Sequence, residues 1–207
     1  MFLRSKLTLV AAAAVSATLA LTTAGTTLAS SAQGAGADRA GATYVVLKSG
    51  STTLALNPAT AQVLADNSVA VAPASEARAT SAGIAFPIQG GLLNARTLAG
   101  RVTHSGGLTF TAGGKDLTVR DFTINTRRGL LTAYVDEANT RLPILTLSLA
   151  KAKVTATAKH LTVRNVKATL TDAAATALNG YFGVSLFQGG LKIGTATVSA
   201  TIKTLRG

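Results

Sequence analysis

Apolar and polar residues alternate with a period of two through most of the chain after about residue 43. Leu145, Leu147 and Leu149 share one parity, and Thr146 and Ser148 stand between them. Successive side chains of a strand point to opposite faces, so this pattern predicts half-buried β-strands. The same alternation predicts strands at 44–47, 84–88, 102–110, 117–124, 130–135 and 196–202.

The parity of the apolar positions changes at three places. Apolar residues are odd-numbered up to Leu149 and even-numbered from Ala152 onward. An extra residue in a strand reverses the parity, so we expect a β-bulge or a bend near Ala150. Two similar hexapeptides, 117–122 and 161–166, also change parity at an Arg-Asp or Arg-Asn pair, which predicts the same bulge in both.

Turn and capping residues separate these strands. Glycine-containing turn signals lie at 89–91, 105–107, 112–115 and 128–129. Short strands with glycine turns predict an all-β fold, either an antiparallel β-sandwich or an open barrel. Two short helices are predicted at 57–65, where Asn57 caps and Pro58 follows, and at 172–180, after Thr171.

The first residues have the pattern of a secretory signal peptide. Arg4 and Lys6 precede an uncharged, apolar run from 7 to 24, and small residues follow it. Segment 1–29 is therefore predicted to be removed after Ala29, or as late as Ala37, leaving a flexible lead-in at 30–42 and one β domain at 43–207. The alternative, a membrane anchor, is weakened by the Thr and Ser residues within the run. We expect a protein outside the cell, without a transmembrane segment, either free or held non-covalently at the cell wall.

Charge and composition bear on the partners. The chain has 20 Lys and Arg against 8 Asp and Glu, no cysteine and no tryptophan. The excess suggests an anionic partner such as a cell-wall polymer, and another surface protein is a further candidate. The favoured explanation, however, is that these charges form the solvated faces of strands. Nucleic acid is not expected, because few aromatic residues lie among the basic ones. The candidate anion-binding residues are Lys151, Lys153, Lys159, Arg164 and Lys167.

No catalytic or metal-binding motif is present. The two histidines, His104 and His160, have no second ligand type at metal-site spacing. Ser105 beside His104 lacks the turn that frames a serine nucleophile, and Asp136 next to Glu137 is typical of a solvated turn. We therefore predict no enzyme, no catalytic residue and no metal site.

Several glycine-rich and apolar stretches carry a family resemblance. Segments 86–91 and 100–110, with 170–179 and 187–190, resemble a module of actinobacterial secreted proteins and, more distantly, the HtaA heme-binding domain. That resemblance covers most of the chain after the leader and implies an HtaA-like fold. In that domain an N-terminal motif with Trp, Lys, Ser and Tyr supplies an axial tyrosine.

The resemblance implies two heme-binding candidates. Tyr44 is the candidate for the axial tyrosine, although the tryptophan of the motif is missing. The family's Phe-Thr-Gly-His segment aligns with 110–113, where Gly113 replaces the histidine, so His104 is the candidate for the supporting role. The leading hypothesis is a non-enzymatic secreted or wall-associated binding domain of unknown ligand, with no cofactor. A heme-binding domain of a heme-uptake system is the alternative, and a secreted hydrolase is the second alternative.

Overall fold

The computed structural model describes residues 43–206, and it confirms the predicted all-β fold. The predicted leader, its cleavage sites and the lead-in at 30–42 lie outside the described residues. The strands are β1 (Thr43–Leu56), β2 (Ala70–Ala74), β3 (Arg78–Thr80), β4 (Gly83–Asn94), β5 (Gly100–His104), β6 (Gly107–Ala112), β7 (Lys115–Asn125), β8 (Leu130–Val135), β9 (Thr140–Ser148), β10 (Lys153–Ala156), β11 (His160–Leu170) and β12 (Lys192–Arg206).

Eight of these strands form a closed antiparallel barrel. The order around the ring is β7, β5, β4, β1, β12, β11, β9 and β8, and β8 pairs with β7 to close it. The barrel alternative is thus confirmed, but it is closed rather than open. Closure gives every ring strand two neighbours, so the ring has no free edge. The remaining strands extend the sheet outside the ring: β6 pairs with β7, β2 with β6, β3 with β4 and β10 with β11.

Two short helices lie at one end of the barrel. Helix α1 (Pro58–Asp66) follows β1, and α2 (Asp172–Phe182) follows β11, each ending one or two residues beyond its prediction. The Asn57 side chain accepts hydrogen bonds from the first turn of α1, and the Thr171 hydroxyl accepts one from the amide of Ala174. Neither helix is long and apolar enough to cross a membrane.

The two predicted bulges form at equivalent positions. Asp121 in β7 and Asn165 in β11 have φ angles of 56° and 63°, and the strand pairing shifts register beside both. Aspartate and asparagine tolerate this left-handed conformation better than most residues. The predicted bulge or bend within one strand near Ala150 is wrong. The chain turns there and starts β10, so the parity change separates two strands instead of bending one.

The barrel has two different ends. At the helix end, Leu54 pairs with Ile84, and α1 and α2 begin just beyond. At the other end, which we call the open end, three connections meet: the β4–β5 loop (95–99), the β7–β8 turn (126–129) and the β9–β11 flap (149–159), which contains β10. The core lies inside the barrel between these ends, where Leu47, Ala133 and Leu161 are at most 2% exposed.

A charge placed inside the barrel should unfold it, whereas the same charge outside should not. Leu161 is buried and Arg164 is exposed on the same strand. Leu161→Asp should lower the free energy of unfolding by about 3–5 kcal/mol, because it buries an unpaired carboxylate. Arg164→Asp should change it by less than about 1 kcal/mol.

Urea denaturation followed by circular dichroism measures the free energy of unfolding of both variants. Leu147→Asp should fall between them, because Leu147 is half-buried at the open end. Equal losses for Leu161→Asp and Arg164→Asp would show that the two faces of β11 are assigned incorrectly.

Candidate ligand-binding lumen

The inside of the barrel is a lumen with two chambers. The first lies toward the open end and has a cavity volume of about 110 Å³. The second lies beneath α1 and α2 and has a cavity volume of about 90 Å³. Leu54, Leu108 and Phe122 line both chambers, so the two spaces adjoin. An eight-stranded barrel is wide enough to hold one small ligand.

The walls of the lumen are almost wholly apolar, because nearly all the inward positions of the eight strands carry apolar side chains. In the first chamber the polar exceptions are Thr52, His104 and Thr126. The Thr126 hydroxyl donates to the carbonyl of Leu98 at 2.6 Å and accepts from the amide of Gly100 at 2.8 Å, so it is satisfied by the wall itself. In the second chamber only Thr60 is polar, and it donates to the carbonyl of Lys192.

The remaining polar groups form one buried pair. His104, the last residue of β5, is 2% exposed, and its Nε2 lies 2.7 Å from the hydroxyl oxygen of Thr52 on β1. The other ring nitrogen, Nδ1, is buried and has no hydrogen-bond partner among the described residues. In the tautomer in which Nε2–H donates to Thr52, the buried Nδ1 atom keeps an unshared lone pair.

Burial keeps this histidine neutral. Loss of solvation lowers the pKa of His104 from 6.5 to about 4, and the nearby backbone of Phe122 offsets only part of the shift. The Phe122 backbone does not reach hydrogen-bond geometry with Nδ1. At neutral pH this buried imidazole is therefore uncharged, which is the form of histidine that binds metals.

The structure does not bring the two heme-binding candidates together. Tyr44 lies at the open end of β1, opposite Leu205 and Asn94, and is 38% exposed on the outer wall. Thr52, which contacts His104, is eight residues further along the same strand, a separation of roughly 26 Å at about 3.3 Å per residue. Tyr44 and His104 therefore face different environments at different heights of the barrel.

The five predicted anion-binding residues are all exposed, and four of them lie in or beside the flap. Lys153 and Arg164 stand directly opposite each other in the β10–β11 pair, where like charges repel. Lys167 lies further along β11, opposite Ser148 and Thr195, and is separate from the others. The sequence reasoning missed Arg96, Arg127 and Arg128 in the neighbouring loops, because closure of the barrel brings these distant segments to one end.

The chemistry of a hydrolase is incomplete around His104. Its side-chain partner is Thr52 rather than Ser105, and no carboxylate contacts the pair in the described part of the chain. Asp136 and Glu137 lie in the β8–β9 turn, where Glu137 accepts from the amide of Thr118. Among residues 43–206 no group of three potential ligands can hold a metal ion.

The buried histidine should make stability depend on pH. In the unfolded chain it protonates near pH 6.5, and in the folded protein near pH 4. Between these values the unfolded state binds more protons, so the free energy of unfolding should fall as the pH decreases through this window. The full loss is about 3 kcal/mol, from 1.36 kcal/mol per pKa unit.

The measurement is urea denaturation at a series of pH values. His104→Leu provides the control, because it removes the titrating group while other groups keep their own pH dependence. If the two proteins lose stability in parallel from pH 6.5 to pH 4, the buried imidazole is not the cause.

Comparisons with known proteins agree with this architecture. The barrel is similar to the crystal structure of the C-terminal domain of HtaA from Corynebacterium glutamicum, with a TM-score of 0.57 and 15% identity, over 76% of this chain and 99% of that one. It is less similar to the heme binding protein HtaB from the same organism, with a TM-score of 0.45 and 13% identity, over 78% of this chain and 97% of that one. No curated protein matches the sequence.

The sequence itself matches a family model. The model, described as Htaa, covers residues 60–185, which is more than half of the 207 residues. The match runs from within α1 into the segment that follows α2, and it includes six of the eight ring strands, namely β4, β5, β7, β8, β9 and β11. The predicted family resemblance is thus confirmed, and the chain belongs to the HtaA family.

Proposed function

We propose that this domain is a non-enzymatic binding domain that holds heme in the open-end chamber of its lumen. The observation that carries the proposal is the buried, neutral imidazole of His104, whose Nδ1 has no partner and which lines an otherwise apolar space. Membership of the HtaA family supports heme over other apolar ligands.

The residues present fit the chemistry of heme. Its macrocycle is flat and apolar, so the aliphatic and aromatic walls of the first chamber favour its burial. His104 would supply the nitrogen ligand, and Thr52 would orient the ring through the other nitrogen, as an outer partner does for a metal-ligating histidine. When bound, heme supplies an iron centre whose properties depend on its axial ligand. Its carboxylates would meet the basic residues of the open end.

The donor set differs from the one that the family resemblance implies. Tyr44 is on the outer wall, so a tyrosinate ligand from that position does not reach the lumen. The proposal therefore transfers the role of axial ligand from Tyr44 to His104. It predicts the spectrum of an imidazole complex rather than that of a tyrosinate complex.

The cellular setting follows from the sequence pattern. The leader-like segment 1–29 and the family membership together support a secreted protein that takes part in heme uptake outside the cell. Non-covalent attachment to the cell wall stays part of this proposal. A hydrolase is disfavoured, because the histidine that would act as its base has a pKa of about 4 and no orienting acid.

Titration with hemin tests the proposed site. The wild-type domain should shift the Soret band at micromolar protein, and His104→Ala should abolish the shift. Tyr44→Phe should leave the spectrum and the affinity unchanged. Thr52→Val, which keeps the volume but removes the hydroxyl, should weaken affinity roughly tenfold or more.

A rescue experiment with imidazole distinguishes loss of the axial ligand from loss of the fold in the His104→Ala variant. Added imidazole should restore the Soret shift of the His104→Ala variant, because it replaces the lost ligand in the space that the substitution creates, and circular dichroism should show an intact fold. An unshifted Soret band with wild-type protein would remove heme from consideration. An unchanged spectrum in His104→Ala would place the heme elsewhere.

A further inference from the structure

The open end has an excess of basic residues. Its three connections, 95–99, 126–129 and 149–159, contain no aspartate or glutamate, and all of their basic side chains are exposed. Charges of one sign on neighbouring loops produce a concentrated local field, which attracts surfaces of the opposite sign. The basic residues of these connections are Arg96, Arg127, Arg128, Lys151, Lys153 and Lys159.

The acidic residues of the described region lie elsewhere. Asp66 ends α1, Asp172 begins α2, and Asp136 with Glu137 forms the β8–β9 turn near the helix end. Others lie beside α2 or midway along the wall. Asp121, for example, pairs with Arg120 at the bulge. The basic residues of the open end therefore have no acidic residues among them in the described region.

Exposed apolar side chains gather at the same basic end. Of the six large apolar side chains that are exposed in the described region, only Val63, on α1, is at the helix end. Clustered exposure of this kind marks an interaction surface rather than random scatter. The other five are Tyr44 (38% exposed), Leu92 (49%), Leu149 (36%), Val154 (49%) and Leu205 (42%).

Strand pairing places these five residues in two groups near the open end. Tyr44 stands opposite Leu205 on the outer wall, and Leu92 lies on the neighbouring strand β4. Val154 pairs with Val163, which lines the first chamber, so Val154 extends the inner apolar wall beyond the closed ring. Leu149 also lines that chamber. Leu149 and Val154 thus extend the apolar lining of the lumen into an exposed rim, and the basic residues of the three connections lie at the same end.

We propose that the open end docks onto the surface of an anionic lipid bilayer. The basic loops match the charge of anionic headgroups, and the apolar rim matches the boundary between headgroups and acyl chains. An anionic cell-wall polymer would attract the basic residues, but it has no apolar phase in which Leu149, Val154 or Leu205 could be buried. Docking in this orientation joins the lumen to the bilayer, so an apolar ligand can pass between them without crossing water.

Vesicle binding tests this proposal without any heme. The protein is sedimented with vesicles of phosphatidylcholine alone and with vesicles that also contain phosphatidylglycerol. Binding should require phosphatidylglycerol and should weaken as salt is added, because salt screens the attraction. Arg127→Glu with Arg128→Glu should reduce partitioning on the order of tenfold or more. Leu149→Ser with Val154→Ser should also release the protein.

The matched control carries equivalent changes at the helix end. Val63→Ser with Lys192→Glu removes an exposed apolar side chain and reverses an exposed charge there, and it should leave partitioning unchanged. Melting temperatures of all variants check the fold. Equal binding to both kinds of vesicle, or an equal loss in the control, would overturn the proposal.

Two further outcomes are informative. The protein could bind a purified anionic wall polymer but not vesicles, and the Leu149 and Val154 substitutions could leave that binding unchanged. This combination would identify the polymer, rather than the bilayer, as the partner. Hemin titration in free solution does not depend on docking, so either proposal can fail while the other stands.

Discussion

The hydrogen bonds between β7 and β8 close the sheet on itself, and the lumen exists because of that closure. An open sheet with the same alternation would need a second layer to cover its apolar face. In the closed ring, the inward side chains of eight strands cover one another instead. Bulges at Asp121 and Asn165 let β7 and β11 change register within the ring while their apolar residues stay inside.

Closure also explains why one histidine differs so much from the other. His160 begins β11 at the surface, whereas His104 ends β5 inside the ring, where its side chain pairs with Thr52. A polar group in an apolar lumen is costly unless it is paired. In the described part of the chain, the Nδ1 atom of this group has no hydrogen-bond partner, and the proposed heme ligation rests on that atom.

The two ends of the barrel differ in structure and in the function that we propose for them. The helices α1 and α2 cover one end with capped, mostly apolar turns, and the loops of the other end leave the lumen accessible. Basic and apolar residues are concentrated at that accessible end, and acidic residues lie away from it. Ligand uptake and surface docking would therefore use the same face, since both need the opening of the lumen.

The sequence by itself determined the local structure, because alternation, capping residues and turn glycines act within a few positions. The strand at 130–135, the caps at Asn57 and Thr171, and the paired bulges were all predictable in this way. It also identified the family, from short stretches that are spread along the chain. Only the tertiary structure decided that the barrel closes, that His104 meets Thr52 across 52 positions of sequence, and that Tyr44 faces outward. These outcomes depend on strand order and on which segments share an end, and neither is encoded in the pattern of any single segment.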